Sequence, residues 1–222
     1  MKVKDWHRFY RNHYAQLLMM LLIIFIASPI LQKFPFGQII LSALFFGTIA
    51  FSLRPFLSQK LIFIRYIAII GIGFGFGVAS NLELLPRGYT PLDVVNPLIY
   101  LLFISIEIAL ISQRLLLDRE VTSDTVLGGI CVYFSIGYLW SFLYLILDIL
   151  IQNSFSGLEV DRYPDYIYFS FTTLTTLGYG DISPVSDMAK TLTNLEAIVG
   201  QMYPSIFIAR LVSLYVSQDR GR

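Results

Sequence analysis

Six stretches of this chain are long enough and poor enough in charge to cross a bilayer as helices, and nothing else constrains the fold as much. Residues 12–32, 34–53 and 125–147 hold no Asp, Glu, Lys or Arg. Residues 61–82 hold only Arg65, 94–113 only Glu107, and 191–217 only Glu196 and Arg210. A helical span takes about 20 apolar residues, because inside a bilayer every backbone polar group must be bonded within the segment. A seventh uncharged run, 166–180, is too short to cross and return, and is rich in Thr and Gly. Such a run reads as a re-entrant or buried segment.

Composition agrees. Charged residues make up 14% of the 222, against about 25% in a soluble domain. Apolar residues reach 56%, which excludes disorder, and the single Cys131 excludes a disulfide scaffold. A net charge of +1 offers no basic field for nucleic acid. The apolar core of the first run, 15–31, exceeds the roughly 7–15 residues of a signal peptide, so it reads as an uncleaved first span. With the N-terminus placed inside, twelve of the 16 Lys and Arg fall on the cytoplasmic side and four outside. Both termini are then cytoplasmic, and the run 166–180 enters from outside, between spans five and six.

The expected fold is an all-α membrane protein with six transmembrane helices. A re-entrant pore helix and selectivity filter lie between the fifth and sixth. Residues 1–124 form a peripheral four-helix membrane domain with a linker, and 125–222 a two-helix pore domain. The stretch from Arg114 to Asp124 reads as an amphipathic linker.

The chemistry lies in Thr176-Leu177-Gly178-Tyr179-Gly180-Asp181. Glycines at alternate positions allow φ > 0 at Gly178 and Gly180 without a steric penalty. Alternating left- and right-handed residues aim successive carbonyls to one side. Four copies about an axis would stack rings of carbonyl oxygens able to replace a cation's water shell. Pro164 and Asp165 mark the start of a short helix over 166–175, whose partially negative C-terminal end would face a cation.

This hexad resembles the selectivity-filter signature of potassium channels, and Tyr168 to Thr175 resembles their pore helix. The resemblance covers about 125–217 and implies a tetrameric, six-helix, one-pore-loop channel of prokaryotic type in a plasma or bacterial inner membrane. It implies K⁺ as permeant ion and no organic cofactor. It assigns a carbonyl and a hydroxyl of Thr176, and carbonyls of Leu177, Gly178 and Tyr179, to the ion sites, with the Tyr179 ring bracing them. Gly180 ends the filter and Asp181 sits at its mouth. Leu177 replaces the commoner Val or Ile. Phe169 stands where many members place a Trp that holds the terminal Asp, and Phe has no donor. Asp181 then lacks that donor unless Tyr168 or Thr172 supplies one.

In the sixth span the resemblance makes Gly200 a hinge, with Pro204 adding a kink; close helix packing is the equal alternative for Gly200. It places Gln201, Ser205, Ile208 and Val212 around the cavity below the filter, on one helical face. Glu196, one turn before Gly200, is a candidate buried carboxyl coupling pH to the filter. Glu107 and Arg210 read first as structural pairs, Glu107 with a base on a neighbouring helix. His13 reads as an interface residue.

The fourth span carries no basic ladder, so a voltage sensor is not expected. Nor is catalysis, since no nucleophile–base–acid set is present. A less selective cation channel remains one alternative. An ion-coupled transporter is the other, but it calls for a second broken helix that the sequence lacks. Only a few residues follow the sixth span, so no ligand-binding domain is expected there, and the gating stimulus stays open.

Overall fold

The computed structural model describes residues 13–34, 36–53, 68, 71–75, 78, 93–118, 120–158 and 162–220. Among them run α1 (His13–Leu31), α2 (Gly37–Leu53), α3 (Val95–Leu117), α4 (Ser123–Leu150), β1 (Phe155–Ser156), α5 (Tyr163–Leu174), β2 (Ser183–Pro184) and α6 (Asp187–Arg220). The basic leader and most of the third expected span, 61–82, lie outside the described residues.

Among the described residues four helices are long and apolar enough to cross a membrane, α1, α3, α4 and α6, where six were expected. α2 is apolar but its 17 residues fall short of the usual span. α4, with 28 residues, reaches about 42 Å, more than the hydrocarbon core requires.

Burial follows helical periodicity. α1 turns Tyr14, Leu17, Leu21 and Ile24 inward, and α3 turns Tyr100, Phe103, Ile104, Ile111 and Leu115. Both stripes meet α4, which is apolar on every side and lies at the centre of the packing. Aromatic rings join the layers: Tyr100 stacks on Phe142 at 4.8 Å, and Phe142 on Tyr163 at 4.9 Å. The Tyr138 hydroxyl, fully buried, donates to the Leu21 carbonyl at 2.8 Å. α6 differs: only 6% of its apolar window is covered by this chain, against 56% for α4. A long apolar helix left this open needs lipid or other chains around it.

Two expectations change here. His13 is buried within α1, stacked on Phe51 at 4.6 Å, and is no interface residue. Glu107 is buried against a hydroxyl, Ser135 Oγ at 3.4 Å, where a basic partner was expected. The last turn of α3 and the cap of α4 take up most of the stretch from Arg114 to Asp124 read as a linker. α3 continues through Arg114 to Leu117, and Thr122 caps α4 through reciprocal bonds with Thr125. Arg210 of α6 reaches back to this turn and donates to the carbonyls of Leu115 at 3.1 Å and Leu116 at 2.5 Å. A cation at the carbonyl end of α3 is favoured by the helix dipole as well as by these bonds.

Candidate ion-conduction site

α5 begins at a proline-marked turn, with Asp165 in its first turn paired to Arg162 at 3.4 Å. Its start is anchored to α4: the Tyr166 hydroxyl donates to Asp148 Oδ2 at 2.8 Å, and Asp148 Oδ1 accepts from the Ser154 amide at 3.2 Å. Its end closes tightly. The Thr172 carbonyl accepts from the amides of both Leu177, at 2.8 Å, and Gly178, at 3.1 Å. This folds residues 175–178 back over the C-terminal turn of α5.

Beyond that turn the backbone alternates. Thr176, Gly178 and Gly180 have φ of 59°, 50° and 81°, and the residues between them do not share the left-handed conformation. Both glycines follow the sequence reading. Thr176 does not: sequence reasoning reserved φ > 0 for Gly, and a β-branched residue there is strained. Gln201 of α6 steadies it by donating from Nε2 to Thr176 Oγ1 at 3.0 Å. A fold-back of this kind leaves no trace in residue type, so only the tertiary structure identifies it.

Residues 175–181 are exposed in the single chain, with Leu177 56% and Tyr179 67% accessible. The Tyr179 ring lies parallel to Tyr168, centroids 6.4 Å apart. The Tyr168 hydroxyl donates to Asp181 Oδ2 at 2.8 Å. That bond holds the Asp181 carboxyl below the usual range for Asp. The absence of a Trp at position 169 therefore does not leave Asp181 without a donor: Tyr168 supplies it. Thr172 does not; its hydroxyl donates to the Phe169 carbonyl at 3.0 Å. Phe169 is buried between Tyr144 and Phe155, at 5.0 and 5.2 Å. The strands β1 and β2 pair Phe155 with Pro184, tying the segment after the alternating loop to the loop that precedes α5.

α6 supports the loop from behind. A Cβ on Gly200 would lie 2.0 Å from the Leu174 carbonyl oxygen, so α6 touches the end of α5 backbone to backbone at this point. α6 is unbroken through Gly200 and Pro204. Of the two readings of Gly200, this geometry favours packing. Four residues earlier, Glu196 is completely buried. Its Oε2 accepts from the Tyr144 hydroxyl at 2.5 Å, and its Oε1 lies 2.6 Å from Ser170 Oγ. Gln201, Ser205, Ile208 and Val212 share one open face of α6, as their spacing requires. The opposite face carries Tyr203, which donates to the Gly129 carbonyl of α4 at 2.9 Å, and Phe207, packed on the same glycine.

The ion channel family model matches residues 130–217, less than half of the chain. Two pore potassium channel a of Oryza sativa subsp. japonica is 29% identical over 82 residues, 35% of this chain and 24% of the relative. Two-pore potassium channel 4 of Arabidopsis thaliana is 36% identical over 66 residues, 30% of this chain and 23% of its own. The inward rectifier potassium channel Kirbac3.1 of Paramagnetospirillum magnetotacticum is 32% identical over 90 residues, 40% of this chain and 29% of its own. The chain thus spans about a quarter of the length of these curated relatives, which come from plants and bacteria alike. No solved structure matches. Residues 130–217, which hold most of α4, all of α5, the alternating loop and nearly all of α6, are thus similar to the ion channel family, and the relatives named here are potassium channels.

Proposed function

We propose that this chain forms one quarter of a K⁺-selective pore, a homotetramer in a cell membrane that conducts K⁺ passively down its gradient. The observation that carries the reading is the alternation of positive φ at Thr176, Gly178 and Gly180 directly beyond the end of α5. Such a backbone turns successive carbonyls to one side, and a ring of four presents each ion site with enough oxygens to replace water. Non-helical backbone at membrane depth persists only where it is buried in protein or lines a cavity, and a central pore meets that condition. The exposed loop and the open face of α6 supply the surfaces that neighbouring chains would cover.

In this assembly Thr176 to Gly180 hold the ion, and Asp181, braced by Tyr168, forms the outer mouth. Gln201, Ser205, Ile208 and Val212 line the inner cavity. Six spans, a loop re-entering from outside, cytoplasmic termini, and a division into a peripheral 1–124 and a pore 125–222 complete the reading. The potassium channel relatives favour it over a transporter.

The test is K⁺ against Na⁺ flux into vesicles holding the purified full chain, with Gly178→Ala and Gly180→Ala as variants. Each adds a Cβ to a left-handed residue, about 1–2 kcal/mol in each of four chains, so selective flux should vanish. Wild-type selectivity in both variants refutes the assignment. Flux saturating at rates typical of conformational cycling marks a transporter.

A further inference from the structure

A buried network behind the filter contains one more contact than its hydroxyl protons can serve. Ser170 Oγ lies 2.7 Å from the Gly137 carbonyl oxygen of α4 and 2.6 Å from Glu196 Oε1 of α6. Tyr144 Oη lies 2.5 Å from Glu196 Oε2. These three oxygen–oxygen contacts are hydrogen-bond short, so each needs a proton between its atoms. Ser170 and Tyr144 bring one proton each. A Glu196 carboxylate brings none. One contact would then set two acceptors against each other, in a site where Glu196, Ser170 and Tyr144 have no exposed surface.

We propose that Glu196 is held as a neutral carboxylic acid and, in that form, is a positioning residue for the filter. Its own proton goes to Ser170 Oγ, Ser170 donates on to the Gly137 carbonyl, and Tyr144 donates to Oε2. Three protons then serve three contacts, and no charge is buried. The chain of bonds joins α4, α5 and α6 at one point. Ser170 lies one helical turn before Leu174, whose carbonyl carries the backbone contact with Gly200 and leads directly into the filter loop. The acid therefore sets how closely α5 sits against its two supporting helices, and through α5 where Thr176 begins.

The surroundings suit a neutral group. From α4 the titratable residues facing this site are Tyr144 and Tyr133, and Asp148, about three turns past Gly137, is already engaged by Tyr166 of α5 and the Ser154 amide. From α5 the site receives the Ser170 hydroxyl, and from α6 the Thr193 hydroxyl near Tyr144.

The proposal rests on the channel reading for its consequence, but not for its chemistry. The experiment compares wild type, Glu196→Gln, Glu196→Ala and Ser170→Ala as full chains in vesicles at neutral pH. Infrared difference spectra of wild type minus Glu196→Gln should contain the C=O stretch of a protonated carboxyl. A Gln amide repeats the acid's donor and acceptor, so Glu196→Gln should keep the K⁺:Na⁺ flux ratio within about twofold, while Glu196→Ala and Ser170→Ala each lower it by about tenfold or more. A difference spectrum showing an ionised carboxylate overturns the proposal, as does a Gln variant impaired as severely as the Ala variant. If Glu196→Ala fails to assemble, Ser170→Ala reads the same link from α5. Wild-type vesicles that pass no K⁺ refute the channel reading, and the infrared band still decides the state of Glu196.

Discussion

Replacing Gly200 by Ala tests whether this residue serves packing or bending. Its new Cβ would stand 2.0 Å from the Leu174 carbonyl oxygen, 2.8 Å from the carbonyl carbon and 3.0 Å from Cα. The nearest approach is about 1.5 Å short of an unstrained nonbonded contact. The obstacle is backbone, so no rotamer change relieves it, and α5 and α6 must part. Overpacking of this kind costs about 1–3 kcal/mol, offset by about 1 kcal/mol of helix propensity gained. A net loss of up to about 2 kcal/mol per chain follows, repeated in every subunit. The displaced atom belongs to the last residue of α5, so the strain passes straight into Thr175 and Thr176. Gly200→Ala should therefore lower both the thermal midpoint of the assembly and the K⁺:Na⁺ flux ratio. Truncating the buried Leu174 side chain in the double variant should bring no rescue, since that side chain is not what clashes. The bending reading predicts another pattern: altered open times in single-channel records, with selectivity and thermal midpoint intact. That pattern would refute the packing argument.

Two more perturbations follow from the same geometry. Tyr168→Phe removes the donor that holds the Asp181 carboxyl below its usual range. A depressed Asp contributes stability above its ordinary range that is lost as pH falls through the depressed value. The variant should therefore lose filter integrity at a higher pH on acidification than wild type, and inactivate faster in low external K⁺; identical acid profiles would show that the bond carries no weight. Gly129→Ala drives a Cβ to 2.1 Å from the Phe207 ring. It should lower the thermal midpoint by an amount worth about 1–3 kcal/mol, and Phe207→Leu should recover part of it, because here the obstacle is the far end of a side chain; equal midpoints for single and double variants would contradict this.

The membrane-length helices and the glycine-alternating loop are legible in the sequence because both depend on residue type along a continuous stretch. Uncharged runs reveal α1, α3, α4 and α6, since a bilayer admits few alternatives for a segment of that length. Gly178 and Gly180 announce left-handed backbone because few other residues adopt it readily. The partners that hold this loop and its helices in place are a different matter. Tyr168 meets Asp181 across 13 positions, Gln201 meets Thr176 across 25, Glu196 meets Ser170 across 26, and Arg210 meets Leu116 across 94. Each is a polar side chain whose local sequence fits several partners equally well. His13 and Glu107 show the same limit, since their burial depends on which helix faces lie against them and not on their neighbours in the chain. Hydrophobic patterning selects helices and their buried stripes, whereas the pairing of polar groups is decided only when the helices dock and every buried donor must find an acceptor.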